Sequence, residues 1–348
     1  MPRPSPAPRR RPDPAPVTTA LVDLTMPFAN PGALRMLGFV PAGLAATAPL
    51  VVVLHGCTQT AGGYDRAAGW SALAATHGFA LLFPEQVRAN NANLCFNWFD
   101  DGDTARGHGE VASIANAVAA MVAAHRLDPA RVFVTGLSAG GAMANALLAT
   151  YPDVFAGGAI IAGLAVGAAH GIGEALTAMA HPAAIGGPAL GDRVRAASGF
   201  TGPWPRVSVW HGDADRTVSP ANGAAIAAQW ADVHKASPTV DGARTVWRNG
   251  GGAVVVELTE IAGMGHGTPI DRHDGGEPAP FMLDVGIASS ARIAEFWGIA
   301  GAGGGSRASS PTAPSRPSRV TPARTQAPPG IDFGTVIGDA LRAAGLMK

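Results

Sequence analysis

The sequence predicts an α/β domain with a mostly parallel central sheet and helices on both faces. Two observations carry this. Short, nearly continuous apolar runs rich in Val, Ile, Leu and Phe recur through the chain, and Ala-rich segments of helical length lie between them. A strand that is apolar throughout is buried on both faces, as in a parallel sheet between helical layers; a half-solvated strand would alternate. At 348 residues the chain is long enough for a sizeable core, and no internal repeat breaks it into an array.

Taken in order, the strand signals are "LRMLGFVP" (34–41), "PLVVVLHG" (49–56), "FALLFPE" (79–85), "RVFVTGLS" (131–138), "GGAIIAG" (157–163), "RVSVWHGD" (206–213) and "AVVVELTE" (253–260). The helical signals are "GHGEVASIANAVAAMVAAHRL" (107–127), "GAMANALLATY" (141–151), "NGAAIAAQWADVHKA" (222–236) and "GIASSARIAEFWGI" (286–299). These elements make one domain over residues 18–300. Residues 1–17 form a Pro/Arg-rich tail expected to be disordered. Residues 301–330 read as a Gly/Ser/Pro linker, and 331–348 as a short amphipathic helix that docks on its own domain or meets a partner or polymer surface.

Composition narrows the function classes. Charged residues are 14% of the chain, against roughly 25% in ordinary soluble domains. The formal net charge is +0, which gives no electrostatic reason to expect nucleic acid or an anionic membrane. No apolar stretch is long enough to span a bilayer. The basic N-terminus has no apolar segment behind it, so the reading from sequence is cytoplasmic. Cys57 and Cys95 are the only cysteines, enough for one bridge and no disulfide scaffold.

The chemistry begins at "GLSAG", Gly136 to Gly140, a G-x-S-x-G between a strand and a helix. In α/β-hydrolases such a sharp turn strains the serine and lifts its hydroxyl above the sheet edge. Ser138 is thus the candidate nucleophile, and a serine at neutral pH needs a positioned base. In that fold the acid and then the histidine follow on later loops. "VSVWHGDADRTVS" offers Asp213 and Asp215, between which spacing does not choose. "TEIAGMGHGTP" offers His266. The intervals 138 to 215 and 215 to 266 each leave room for a strand–helix unit. His211, at a strand end, is expected to bond locally, and His77, His125 and His234 to be solvated. His273 is the weaker alternative base. The losing aspartate is expected to order its own turn.

Donors for a tetrahedral oxyanion are the third requirement. The Ala139 amide follows the nucleophile, and the Cys57 amide follows the strand "VVVLHG", where an early loop of this fold supplies the second donor. In "NLCFNWFDDGD" the aromatics Phe96, Trp98 and Phe99 are candidate walls of an acyl or polyester groove, with a rigid lid over the core as the other reading. Trp70 and Trp204 are expected in the core. No H-e-x-x-H, C-x-x-C, calcium loop or dinucleotide fingerprint is present, so no metal and no cofactor are expected.

Together, "PLVVVLHGCTQTAGGYD", "LCFNWFD", "VTGLSAGGAMANALLATYPDVFAGGAIIAG", "WHGDADRTVSPAN" and "GMGHGTPID" resemble the poly(3-hydroxybutyrate) depolymerase family of esterases. These are α/β-hydrolases related to feruloyl and acetyl-xylan esterases, and the likeness spans about residues 30–300. The resemblance implies Ser138 as nucleophile, His266 as base, Asp215 rather than Asp213 as its partner, and Cys57 as an oxyanion amide. It also implies a Cys57–Cys95 bridge and an ester substrate: 3-hydroxybutyrate oligoesters or polyester, or feruloyl and acetyl esters of carbohydrate. A different class, a non-catalytic hydrolase-fold binding protein acting through its tails, is disfavoured by the complete set of catalytic residue types. The family includes extracellular enzymes, against the cytoplasmic reading above. Two departures favour short or soluble esters over solid polymer. Only eighteen residues follow the linker, and the segment "LAVGAAHG" is small where related chains often carry aromatic and cysteine residues.

Overall fold

Six parallel strands form the centre of the sheet, and each ends where the chain can place a loop over the same edge. The computed structural model describes residues 21–182, 184–241 and 244–301. The strands are β1 (Val22–Asp23), β2 (Arg35–Phe39), β3 (Leu50–Leu54), β4 (Ala80–Glu85), β5 (Val132–Leu137), β6 (Gly157–Ile161), β7 (Arg206–Gly212), β8 (Ser237–Asp241), β9 (Arg244–Arg248) and β10 (Val254–Ile261). Their order is β1-β2-β4-β3-β5-β6-β7-β10-β9-β8. The run from β4 to β10 is parallel throughout, and antiparallel strands close both edges. A separate parallel pair, β11 (Thr268–Ile270) with β12 (Met282–Asp284), follows β10.

The helices are α1 (Ala61–Ala68), α2 (Trp70–His77), α3 (Asp101–Thr104), α4 (Gly109–His125), α5 (Ala139–Thr150), α6 (Ile172–Ala180), α7 (Gly187–Ser198), α8 (Ala221–His234) and α9 (Ser289–Trp297). Period-two alternation sends successive side chains to opposite faces. Leu50, Val52 and Leu54 join one core with Met143 of α5 and Ile226 of α8. Val51 and Val53 join the other with Tyr64 of α1 and Trp297 of α9. Phe133 of β5 stacks on Trp297 at 5.0 Å between ring centroids. β3 and β6 are apolar throughout, while β7 and β10 bury the polar side chains Ser208, His211, Glu257 and Thr259.

All seven expected strands and all four expected helices are present. The expectations for residues 1–17 and 331–348, and for the 301–330 linker apart from Gly301, fall outside the described residues. The sequence reading missed α1, α2, α3, α6, α7, the short β1, the β8–β9 pair and the β11–β12 pair. Gly69, at φ +73°, ends α1 and starts α2, so one glycine splits what reads as a turn-rich loop into two helices. Trp70 is buried as expected, and Trp204 packs edge-on against Trp230. His234 departs from expectation: it is half-buried, with Nε2 2.9 Å from the Pro205 carbonyl.

Candidate active site

Four parallel strands, β3, β5, β7 and β10, end under one cleft, where loops of an open α/β sheet build binding sites. Ser138 leaves β5 at φ 57° and ψ −117°, in the left-handed half of the map that a side chain rarely enters. Its amide donates to Ile161 O at 2.9 Å, and its carbonyl accepts from Ala142 N at 2.8 Å, which fixes the turn from both sides. The flanking glycines are steric necessities. A Cβ on Gly136 would collide with Gly140 O, and one on Gly140 would collide with His55 O.

His266 Nε2 lies 2.9 Å from Ser138 Oγ, and His266 Nδ1 lies 2.7 Å from Asp215 Oδ2. The Asp215 carboxylate is fully buried. Its Oδ1 accepts from the amides of Thr217 (2.8 Å) and Val218 (2.9 Å), while Oδ2 faces His266 and, at 3.3 Å, His211 Nε2. Burial alone would raise its pKa. The hydrogen bonds from His211, His266 and the Val218 amide outweigh that and hold the carboxyl well below the usual carboxylate range. It therefore faces His266 as an anion at neutral pH.

Asp213, the alternative aspartate, instead accepts from Gly263 N at 2.6 Å. With Ala214 N donating to Met264 O at 3.1 Å, it ties the loop after β7 to the loop that carries His266. His211 bonds the Val218 carbonyl at 3.0 Å, as expected of a local role, and its contact with Asp215 was not foreseen. His273 lies in an exposed turn of 3-10 type, Arg272–Asp274, away from this cluster.

Cys57 and Ala139 line the same cavity as Ser138, and neither backbone amide has a hydrogen-bond acceptor among the described residues. His55 controls the first of them. It is fully buried, and burial lowers its pKa, so it is neutral. Its Nε2 accepts from Gln86 N at 3.1 Å, leaving the proton on Nδ1, which donates to Gly56 O at 2.7 Å. Gly56 O and Cys57 N–H belong to one planar peptide, so holding the carbonyl aims the amide the other way. Gln59 Oε1 accepts from Gly56 N at 2.8 Å and supports the same loop.

Cys57 and Cys95 are joined by a disulfide, which removes the Cys57 thiol as a nucleophile. The bridge and a Thr58 N to Asn93 O bond of 2.8 Å couple the loop after β3 to the aromatic loop. Thr58 (φ 65°) and Leu94 (φ 56°), each next to a bridged cysteine, sit in left-handed backbone that needs such support. The two cysteines are 38 residues apart, and a closed loop of that length restricts the unfolded chain by about 4 kcal/mol. Cys95→Ser is expected to lower the urea unfolding free energy by up to that amount, measured against the native protein without reductant.

Trp98 and Phe99, edge-to-face at 5.6 Å, line the cavity. Phe96 does not. It is fully buried beneath the loop, 5.0 Å from the His55 ring, and belongs to the core. One of three neighbouring aromatics had to face inward to anchor the loop, and the spacing did not say which. The cavity has a volume of about 450 Å³ and takes an apolar wall from Leu164, Ile172, Leu176, Met179 and Phe281. Sequence reasoning missed the α6 contribution, because nothing in "GIGEALTAMA" marks it as pocket rather than surface. Among the described residues, no cluster of His, Cys, Asp or Glu could hold a metal ion. No described helix is long and apolar enough to cross a membrane.

Below the aromatic loop, Glu110 is buried, accepting from Asn97 N at 3.0 Å and from Gln86 Nε2. Burial, with Asp103 nearby, pushes its carboxyl up to about 8. The native state then holds a proton that the unfolded chain releases near pH 4.3, so stability falls as pH rises from about 4.3 to 8. The loss is on the order of a few kcal/mol. Urea unfolding at pH 5.5 and pH 8 should show this slope in the native protein, and Glu110→Gln should flatten it.

The strand order, the strained turn after β5 and the loops above it define an α/β-hydrolase. Comparison with known proteins places the chain further. A family model described as esterase PHB depolymerase matches residues 34–249. The chain is 46% identical over 284 residues to poly(3-hydroxyalkanoate) depolymerase C of Paucimonas lemoignei, covering 78% of this chain and 68% of that one. It is 34% identical over 211 residues to a probable acetylxylan esterase A of Aspergillus clavatus, covering 59% of this chain and 68% of that one. Among solved structures it superposes on an acetyl xylan esterase from Aspergillus awamori with a TM-score of 0.67 at 25% identity, over 80% of this chain and 99% of that one. The chain belongs to the esterase PHB depolymerase family and is a carboxylic ester hydrolase.

Proposed function

We propose that this esterase cleaves 3-hydroxybutyrate oligoesters or polyester chains through an acyl-enzyme on Ser138. The observation that carries this reading is the hydrogen-bonded line Ser138–His266–Asp215, whose Ser138 end lines an apolar cavity. His266 Nε2 takes the Ser138 proton as Oγ attacks the ester carbonyl, and returns it to the departing alkoxide. The ionised Asp215 keeps the imidazole proton on Nδ1 and steadies the imidazolium that forms. The Cys57 and Ala139 amides receive the oxyanion, the charge that develops only in the transition state. Water, deprotonated by the same histidine, then releases the acid. The chain's own residues supply each of these roles without a cofactor.

The apolar wall supports an aliphatic acyl unit, as does the likeness to the depolymerase. The second reading, an acetyl or feruloyl ester of carbohydrate, rests on the likeness to the acetyl xylan esterases. A substrate panel separates the two. Hydroxybutyrate oligomers, amorphous polymer, acetylated xylan and methyl ferulate are offered at equal ester concentration, and kcat/KM is compared. Hydroxybutyrate oligomers are expected to lead. If methyl ferulate or acetylated xylan leads by tenfold or more, the polyester reading is wrong. The disulfide beside the site further favours an oxidising compartment.

A further inference from the structure

A second cavity of about 390 Å³ adjoins the first along α5, and Trp98 lines both. The two run on from each other in the chain as well. Leu164 lines the first and Ala165 the second; Ser138 and Ala139 line the first, and Ala142 and Ala146 the second. The second cavity exists because its floor is made of small residues: Ala142, Ala146, Ala165 and Ala169.

Its wall carries three basic side chains, and two are already matched. Arg106 makes a two-pronged pair with Asp153, at 2.6 and 2.8 Å. His170 Nδ1 lies 2.9 Å from Asp101 Oδ1. The third, Arg193 of α7, is half-buried and donates through Nη1 to the Gly167 carbonyl at 2.6 Å. Among the described residues no carboxylate lies within ion-pair distance of it. Its remaining N–H groups form a rigid fork suited to a carboxylate. Gly167, at φ +69°, leaves the space this side chain uses, since a Cβ there would stand 3.1 Å from Arg193 Cδ.

We propose that Arg193 binds the free carboxylate end of an oligoester whose scissile carbonyl lies at Ser138. This rests on the reading of Ser138 as nucleophile and deepens it to a preference for chain ends. Ala142 and Ala146 lie four and eight residues along α5 from Ser138, about 6 and 12 Å at the helical rise. A 3-hydroxy acid adds four chain bonds per unit, or about 5 Å when extended, so two to three units cover that distance. The polarity of the chain agrees. When the ester bond breaks, the hydroxyl-end fragment stays as acyl on Ser138. The carboxyl-end fragment leaves as an alcohol, taking its proton from His266. The fragment held by Arg193 is therefore the leaving group, and the products released are short hydroxy acids.

The test uses binding, so that it does not depend on turnover. In a Ser138→Ala background, calorimetry compares the linear 3-hydroxybutyrate trimer as free acid and as its methyl ester at pH 7.5. The acid is expected to bind about tenfold tighter or more, as for a hydrogen bond to a charged group. With Arg193→Gln added, the acid-to-ester ratio is expected to fall to about one. Arg193→Lys should keep part of it. The methyl ester should bind equally to all three proteins, which shows that each is folded. An acid-to-ester ratio unchanged by Arg193→Gln overturns the proposal, as does absence of any trimer binding. Failure of the nucleophile reading appears separately, as p-nitrophenyl butyrate turnover that survives Ser138→Ala.

Discussion

Ser138→Ala is expected to lower kcat for p-nitrophenyl butyrate by roughly four to six orders of magnitude, leaving substrate affinity and fold intact. The size follows from how the residues act. In the proposed mechanism His266 and Asp215 work only through the serine hydroxyl, so removing Oγ silences all three. The amides of Cys57 and Ala139 and the apolar wall remain and supply the residual rate. The fold should survive because the side-chain hydrogen bond shown for Ser138 is the one to His266 Nε2, and that nitrogen is left facing the cavity. The backbone strain at φ 57° is imposed by the glycines and by the Ile161 bond, not by the hydroxyl. The measurement is steady-state turnover with a thermal midpoint alongside. A fluorophosphonate probe should label the native protein at Ser138 and leave the variant unlabelled. Turnover within tenfold of native would remove Ser138 from the nucleophile role.

Much of this site could be read from sequence because its parts are local in the chain. A strained serine turn needs glycines at fixed offsets, and each strand must end before its catalytic loop begins. "GLSAG", "HGC", "GDAD" and "GMGHG" each write one such ending. What could not be read depends on contacts between loops. The choice of Asp215 over Asp213, which spacing leaves open and only the family resemblance decides, turns on which carboxylate meets His266 and which meets Gly263 N, fifty residues further on. Phe96 is a core residue because the His55 ring waits beneath it, a contact across forty-one residues. The α6 wall is invisible for a like reason. Its Leu176 and Met179 have helical spacing, but only the tertiary fold turns that face toward Ser138.

His55 shows the same division. From sequence it is a polar residue ending an apolar strand, with no reason to prefer any role. In the structure it is a buried neutral imidazole between Gln86 N and Gly56 O, one peptide away from the Cys57 amide. The disulfide, Gln59 and His55 all bear on that single peptide. An oxyanion donor is useful only if it is already aimed when charge appears, because reorienting it during the reaction would cost what it supplies. The density of restraints around Cys57 fits that demand better than it fits a simple strand-to-helix turn.

Asp215→Asn is expected to lower kcat/KM by about four orders of magnitude, through geometry and not through loss of packing. The asparagine Oδ1 can keep the amides of Thr217 and Val218, so the loop should hold its shape. The other end of the side chain reverses its polarity. An NH₂ group there cannot accept from His266 Nδ1, so the imidazole turns to the tautomer with its proton on Nε2, facing Ser138. That tautomer cannot take the serine proton, and substrate still binds. His211 adds a second signature. It shares Oδ2 with His266, so the variant also disturbs its bond to the Val218 carbonyl. Stability should carry the mark of the lost anion as well. In the native protein the carboxyl is held below its unfolded value, so its contribution is present above about pH 3.9 and is lost as pH falls further. Native and Asp215→Asn proteins should therefore differ most in urea unfolding near neutral pH and converge below about pH 4. If the variant keeps kcat/KM within tenfold of native, Asp215 is not what orients His266, and the buried carboxylate serves the loop alone.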